Sequence, residues 1–226
     1  MTPQNQHKVY YNTHLKQLPL YEQWAHLIAK EKPKFFPPKK LKQIGCIGCG
    51  KRNCNTAFVK NGFAYKHCGK CGSVFVSPRP TDSMLHAFYQ HSRAMQFWKQ
   101  KIMGATPTTR QTFQISPLTY WLESVINNYF GNSTIHAIDY RPTLHTHWDN
   151  EKFEPGTLHL TLAEPTMFST IESKRKENIR ITGSLASAPR GVDVITAFGV
   201  LEQVFNPADT ISQIAKKCRK GGIFLM

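Results

Sequence analysis

No stretch of the chain approaches the roughly 20 consecutive apolar residues that cross a bilayer as a helix, so membrane insertion by that route is not expected. The N-terminus, MTPQNQHKVYYNTH, has neither an apolar core nor a cleavage site, which argues against a secretory leader and for a cytoplasmic, reducing setting. Acidic residues are scarce, 14 against 29 Lys and Arg, and the shortage sits at the front. Residues 1–80 hold 2 acids against 14 cations, a net +12, while residues 81–226 are nearly balanced at +3. A front end this basic suits an acidic protein partner, nucleic acid or an anionic membrane surface. A solvated, lysine-rich surface is the plainer reading, because these lysines are not interleaved with aromatics as in base-stacking surfaces. Wholesale disorder is excluded by 40% apolar and 19% charged content. A length of 226 residues accommodates one large domain, or a small one joined to a medium one.

Cysteines number only six, and four of them fall in two pairs. In a reducing compartment such clusters bind metal more often than they form disulfides. The pattern is Cys46-x2-Cys49, 18 residues, then Cys68-x2-Cys71, with Gly48 and Gly50 around the first pair and Gly69 and Gly72 around the second. Each pair predicts a tight turn that aims two thiolates at one ion, and two turns complete a tetrahedron. Four thiolates fill the shell, so the expected ion is a structural zinc with no position for a catalytic water. Between the pairs, Ala57–Val59 and Phe63–Tyr65 predict two strands joined by a turn at Asn61-Gly62, and Val74–Val76 predicts a third. Residues 46–80 are therefore read as a zinc ribbon. Cys54 reads as a loop thiol that would replace a ligand only as a minor alternative, and Cys218 as a half-buried bystander.

Residues 1–45 read as a helical lead-in and a Pro/Lys-rich linker. Leu18, Leu20, Tyr21, Trp24, Leu27 and Ile28 recur at helical spacing and predict an amphipathic helix over 19–31. The prolines of KPKFFPPKK (32–40) are expected to stop it. This piece is a docking helix or a partner-binding arm. Residues 81–131 read as linker helices: one begins after Thr81 or Asp82, and another covers 116–130 and ends near Gly131. Beyond them, strand-like runs at 135–138, 157–163, 192–198 and 222–226, with a helix at 208–218, predict a mostly parallel α/β sheet over 132–226.

Four stretches carry a family resemblance: CGKCGSVFVSPRPTDSMLHAFY, FWKQKIMGATPTTRQTFQISPL, TLHLTLAEP and DVITAFGVLEQVFNPADTISQIAKKCRKGGIFLM. Together they span nearly all of 46–226 and resemble class I S-adenosylmethionine-dependent methyltransferases with an N-terminal zinc ribbon. The resemblance implies a Rossmann-like methyltransferase sheet, here incomplete at the C-terminus, preceded by a small four-cysteine zinc ribbon. It further implies S-adenosylmethionine as cofactor and a small-molecule or sugar-like methyl acceptor. Glu164, after the TLHLTLA strand, would accept the ribose hydroxyls; Asp139 would open the cofactor turn beside Tyr140; Ala197 and Phe198 would floor the site.

Two departures from the family bear on activity. The turn after the first strand reads Asp139-Tyr140-Arg141-Pro142 and has no glycine where the chain must approach the cofactor closely. The family's Leu-Glu-His is Leu201-Glu202-Gln203, and glutamine cannot act as a base. The sheet also stops at Met226, so either the domain is a fragment or a protein partner is expected to cover the open edge. Three functions follow from these readings: an active methyltransferase, a catalytically inactive methyltransferase-fold subunit with a structural or regulatory role, and a zinc-ribbon nucleic-acid binder.

Overall fold

The structure is a computed structural model, and it describes residues 18–104, 112, 115–142, 158–163 and 179–226. The chain separates into two compact units, 1–109 and 110–226. Among the described residues, no helix is long and apolar enough to cross a membrane.

In the first unit, α1 (Leu18–Phe35) precedes a three-stranded antiparallel sheet of β1 (Asn55–Lys60), β2 (Phe63–His67) and β3 (Val74–Val76). Asn61 and Gly62 both take positive φ, 52° and 72°, as the tight turn between β1 and β2 requires. Next come α2 (Asp82–His91), α3 (Arg93–Phe97) and a π-helical segment at Trp98–Met103. Thr81 caps α2 by accepting the Met84 N–H.

The helix α1 does not stop at the first proline; it runs through Pro33 to Phe35. A proline inside a helix forfeits one backbone bond, and the aromatic packing at this end offsets it. Phe36 is 4% exposed and lies 5.0 Å from Phe88 and 5.6 Å from Phe63 between ring centroids. The FFPP stretch thus ties α1 to α2 and to the hairpin through the buried Phe36.

Glu31 is the polar counterpart of that knot. Its carboxylate accepts the Ser92 hydroxyl at 2.8 Å and the N–H groups of Arg93 and Ala94 at 2.9 and 3.0 Å, capping α3 from another helix. Burial pushes the Glu31 carboxyl up, but the Ala94 and Arg93 N–H groups, the Ser92 hydroxyl and the charge of Lys34 outweigh it, and the net shift is downward. A carboxyl lowered on folding stabilises the protein above its unfolded pKa near 4.5, and that contribution is lost as pH falls through the folded value. Glu31→Gln is expected to cost about 1 kcal/mol at neutral pH. Urea titrations at neutral and acid pH check this: the gap between wild type and variant should close on acidification.

The second unit is an open five-stranded sheet. Its strands are β4 (Ile135–Tyr140), β5 (Leu158–Ala163), β6 (Ile179–Thr182), β7 (Val192–Thr196) and β8 (Cys218–Leu225), in the order β6-β5-β4-β7-β8. Every pairing is parallel. Helix α4 (Ser116–Phe130) closes one face with Leu122 and Ile126 against Ile135, Ala137, Leu160 and Val194. Helix α5 (Pro207–Ala215) contributes Ile214 to the opposite face, with Ile138, Tyr140, Ala163 and Ile195. A parallel sheet whose order reverses about its first strand, with helices on both faces, is a Rossmann-like α/β fold. The α/β class and the four-cysteine module ahead of it are both as expected.

Strand β8 starts four residues earlier than the sequence suggested. Cys218 pairs with Val192 and Ile223 with Val194, so the residues between swing out, with Gly221 at φ 76°. Gly222 returns so close that a Cβ there would sit 2.8 Å from the Asp193 carbonyl oxygen. The glycine pair is what lets the strand rejoin the sheet.

Candidate functional site: a four-cysteine centre and the switch point of the sheet

Two backbone knuckles build the first site. Cys46 N–H donates to Lys51 O at 2.8 Å and Gly50 N–H to Cys46 O at 2.9 Å. Twenty-two residues later the pattern repeats, Cys68 N–H to Ser73 O at 2.9 Å and Gly72 N–H to Cys68 O at 2.8 Å. Gly50 and Gly72 share a φ of 74°, which explains why each pair is followed by glycine. The N–H groups facing sulfur match as well: Gly48 and Cys49 point at Cys46 and Lys51 at Cys49, while Lys70 and Cys71 point at Cys68 and Ser73 at Cys71.

The four sulfurs all lie within 4.8 Å of one another, with Cys46–Cys71 at 3.4 Å and Cys49–Cys68 at 3.5 Å. A tetrahedron with metal–sulfur bonds of about 2.3 Å has edges near 3.8 Å. The donor set therefore fits a metal ion. Electrostatics points the same way. Burial works against the Cys46 thiolate, yet the Cys49 and Gly48 N–H groups pull its pKa down. The Cys71 N–H does the same for Cys68, and the Ser73 hydroxyl for Cys71. Cys49 is favoured by the Lys51 N–H, but burial and the other three sulfurs push it up to about 12. Four sulfurs this close cannot all ionise without a cation between them; a divalent ion removes the conflict. Cys46 and Cys68 are buried and Cys71 is exposed, so the centre opens on one side. Cys54 stays outside the group, its thiol directed to Lys51 O at 3.5 Å.

The second site is the point where strand order reverses, between β4 and β7. Asp139 and Thr196 face each other across these strands, 3% and 0% exposed, and the Thr196 hydroxyl donates to the Asp139 carboxylate at 2.8 Å. Asp139 alternates with Ile138 and Tyr140, so it lies on the sheet face that α4 covers. Tyr140, 7% exposed, packs on the other face with Ala163, Leu185 and Val200. Arg141 takes φ 51°, the left-handed conformation that favours glycine, and its N–H extends the ladder to Ala163 O at 2.8 Å. Ala197 is a core residue whose N–H donates to Leu225 O at 2.9 Å. Phe198 meets Trp121 of α4 edge to face at 6.1 Å, and Gly199 follows at φ 67°. The switch point thus gathers Asp139, Tyr140, Ala197 and Phe198, while Glu164 lies outside the described residues. Gln203 donates to Gly199 O at 2.5 Å and so braces the turn after β7.

Toward a nucleoside cofactor, this end of the sheet fits in its backbone more than in its side chains. Both strands flanking the switch point leave through left-handed residues, the conformation of a close-approach turn. Thr196, and the left-handed conformation that Arg141 takes in a turn marked only by its missing glycine, are contributions the sequence reading did not single out. Thr196 carried no signal in the sequence, whereas its pairing with Asp139 is plain once the register is known.

No family model matches the chain, and no curated protein matches it. Among solved structures it is similar to Burkholderia thailandensis 1,6-didemethyltoxoflavin-N1-methyltransferase with bound 1,6-didemethyltoxoflavin and S-adenosylhomocysteine. Identity is 11% with a TM-score of 0.41, over 76% of this chain and 72% of that one.

Proposed function

We propose that the chain is a methyltransferase-like protein whose second unit uses S-adenosylmethionine to methylate a small-molecule or sugar-like acceptor, while a zinc ion holds the first unit together. The observation that carries this reading is the β4/β7 switch point with its left-handed exits at Arg141 and Gly199. In open parallel sheets the ligand lies beyond the C-terminal strand ends at that point. Glu164, next in sequence after the end of β5, would accept the ribose hydroxyls. Ala197 and Phe198 would close the floor, and the bound cofactor would supply the methyl group. Four thiolates and no oxygen ligand select zinc in a structural role.

A second reading, a non-catalytic subunit of the same fold, is favoured by Asp139 and Tyr140. Both are buried and engaged within the unit. In that case the basic first unit and the edge of the sheet would serve a protein partner.

Calorimetric titration of the zinc-loaded protein with S-adenosylmethionine and S-adenosylhomocysteine separates the two. Active-site binding predicts micromolar affinity that falls at least tenfold in Glu164→Ala. Arg141→Gly should bind several-fold more tightly, because it removes a side chain from the turn the cofactor would approach; the relieved left-handed strain of about 1–2 kcal/mol should appear as fold stability instead. No heat from folded wild type or from Arg141→Gly would end the enzyme reading.

A further inference from the structure

The first unit holds a cavity of about 270 Å³ whose lining includes none of the four clustered cysteines. Two cations, Arg52 and Lys66, line it together with Asn53, Asn55, Ser77 and Phe75. We propose that this cavity binds the phosphate group of a small phosphate monoester, a mononucleotide or a sugar phosphate, with Arg52 and Lys66 as the charged anchors.

Charge is the first support. From residue 32 to residue 81 the chain carries 11 Lys and Arg and not one Asp or Glu, so no carboxylate of this module competes for Arg52 or Lys66. Among the described residues neither cation forms an ion pair. A zinc centre with four thiolates would carry a formal −2 nearby, and the 11 cations outweigh it.

Donor geometry is the second. Lys66 spends one N–H on Thr56 Oγ1 at 2.8 Å and keeps two for a ligand. Ser77 Oγ is fixed by Ile44 N–H and by Gln43 Oε1, each at 3.1 Å. The single Ser77 proton is shared between Gln43 Oε1 and Ile44 O, and the Gln43 NH2 group is a further donor at this wall. A site of guanidinium, ammonium and amide donors without an acidic acceptor matches a phosphate, whose oxygens only accept.

Size is the third. One water occupies about 30 Å³, so a cavity of about 270 Å³ is far larger than a bare anion needs. Phe75 is 4% exposed and leaves little apolar wall, so the organic group would lie against the polar side chains of Asn53 and Asn55, as a sugar does.

The test is calorimetry on the zinc-loaded full chain with adenosine monophosphate, ribose 5-phosphate, inorganic phosphate and a short oligothymidylate. The monophosphate esters should bind more tightly than inorganic phosphate. Arg52→Gln and Lys66→Gln should each weaken them about tenfold or more, the loss of one charged anchor. Lys39→Gln, an exposed cation elsewhere in the module, should change nothing. Zinc content shows that each variant is folded, and Arg52 sits on an exposed loop where folding is least at risk. Equal weakening by Lys39→Gln, or oligothymidylate binding best with a steep salt dependence, would overturn the proposal in favour of diffuse attraction for nucleic acid. Inorganic phosphate binding as tightly as the esters would overturn the ester assignment, and no binding of any probe would end the idea.

Discussion

Removing the metal from the four-cysteine centre is expected to unfold residues 46–76 while leaving the parallel sheet intact. The reason lies in what this module buries. Its apolar cluster consists of Cys46, Cys68 and Phe75, with Ile44, Ile47, Cys49 and Cys54 only partly covered, so the ligands themselves are most of its core. Strand β1 is exposed along its whole length. One buried phenylalanine contributes about 3 kcal/mol, whereas a structural zinc contributes on the order of 10 kcal/mol or more. Cys68→Ser, at a fully buried ligand, should abolish binding and folding of the module together; Cys54→Ser should leave one zinc per chain. Hydrogen exchange before and after chelation is the measurement. Protection at β1 and β2 should vanish and protection at β4 and β7 should persist. A hairpin that keeps its protection without metal would show that the aromatic knot around Phe36 suffices, and the metal would then be dispensable for folding.

That knot marks where the sequence stopped being legible. Local codes were readable: Asn61-Gly62 as a turn, a glycine after each cysteine pair, and α4 ending against Gly131, whose φ of 56° completes the stop. Strands β4, β5 and β7 announced themselves as apolar runs because both of their faces are covered. Strand β6 did not. Its sequence is Ile-Arg-Ile-Thr, it sits at the edge, and Ile181 is 52% exposed, so nothing in four residues sets it apart from loop. The continuation of α1 through Pro33 was hidden for another reason. A proline's local cost is visible in sequence, but the offsetting contacts of Phe36 with Phe63 and Phe88 come from residues far along the chain. Glu31 is the same case in polar form: an ordinary helix carboxylate until the fold brings Ser92 to it. At the switch point, the missing glycine was plain, yet Arg141 adopts the glycine-like conformation all the same. Tertiary context overrode residue preference there.

The register also sets the second large effect, at Thr196. Thr196→Val is expected to destabilise the second unit by about 2–3 kcal/mol, more than a near-isosteric change at a fully buried site costs by packing alone. The substitution keeps the shape and removes the hydroxyl that donates to Asp139 at 2.8 Å. A carboxylate 3% exposed cannot replace that donor with water, so the loss approaches the cost of a charged hydrogen bond in a dry site. Asp139→Asn should recover part of it, because a neutral amide is far less costly to leave short of a partner. The pair is therefore coupled, and a double-mutant cycle by urea unfolding should give an interaction energy of about 1 kcal/mol or more. Strict additivity would mean that Thr196 contributes packing only, and that the Asp139 charge is satisfied elsewhere. The same cycle bears on function. Asp139 lies at the end of the strand where a cofactor would approach, and a ligand that drew on its carboxylate would have to compete with Thr196. If Thr196→Val lowers stability yet tightens binding of S-adenosylhomocysteine, the threonine holds the carboxylate back from a working site. If stability falls and no binding appears, the pair is core structure and the non-catalytic reading gains.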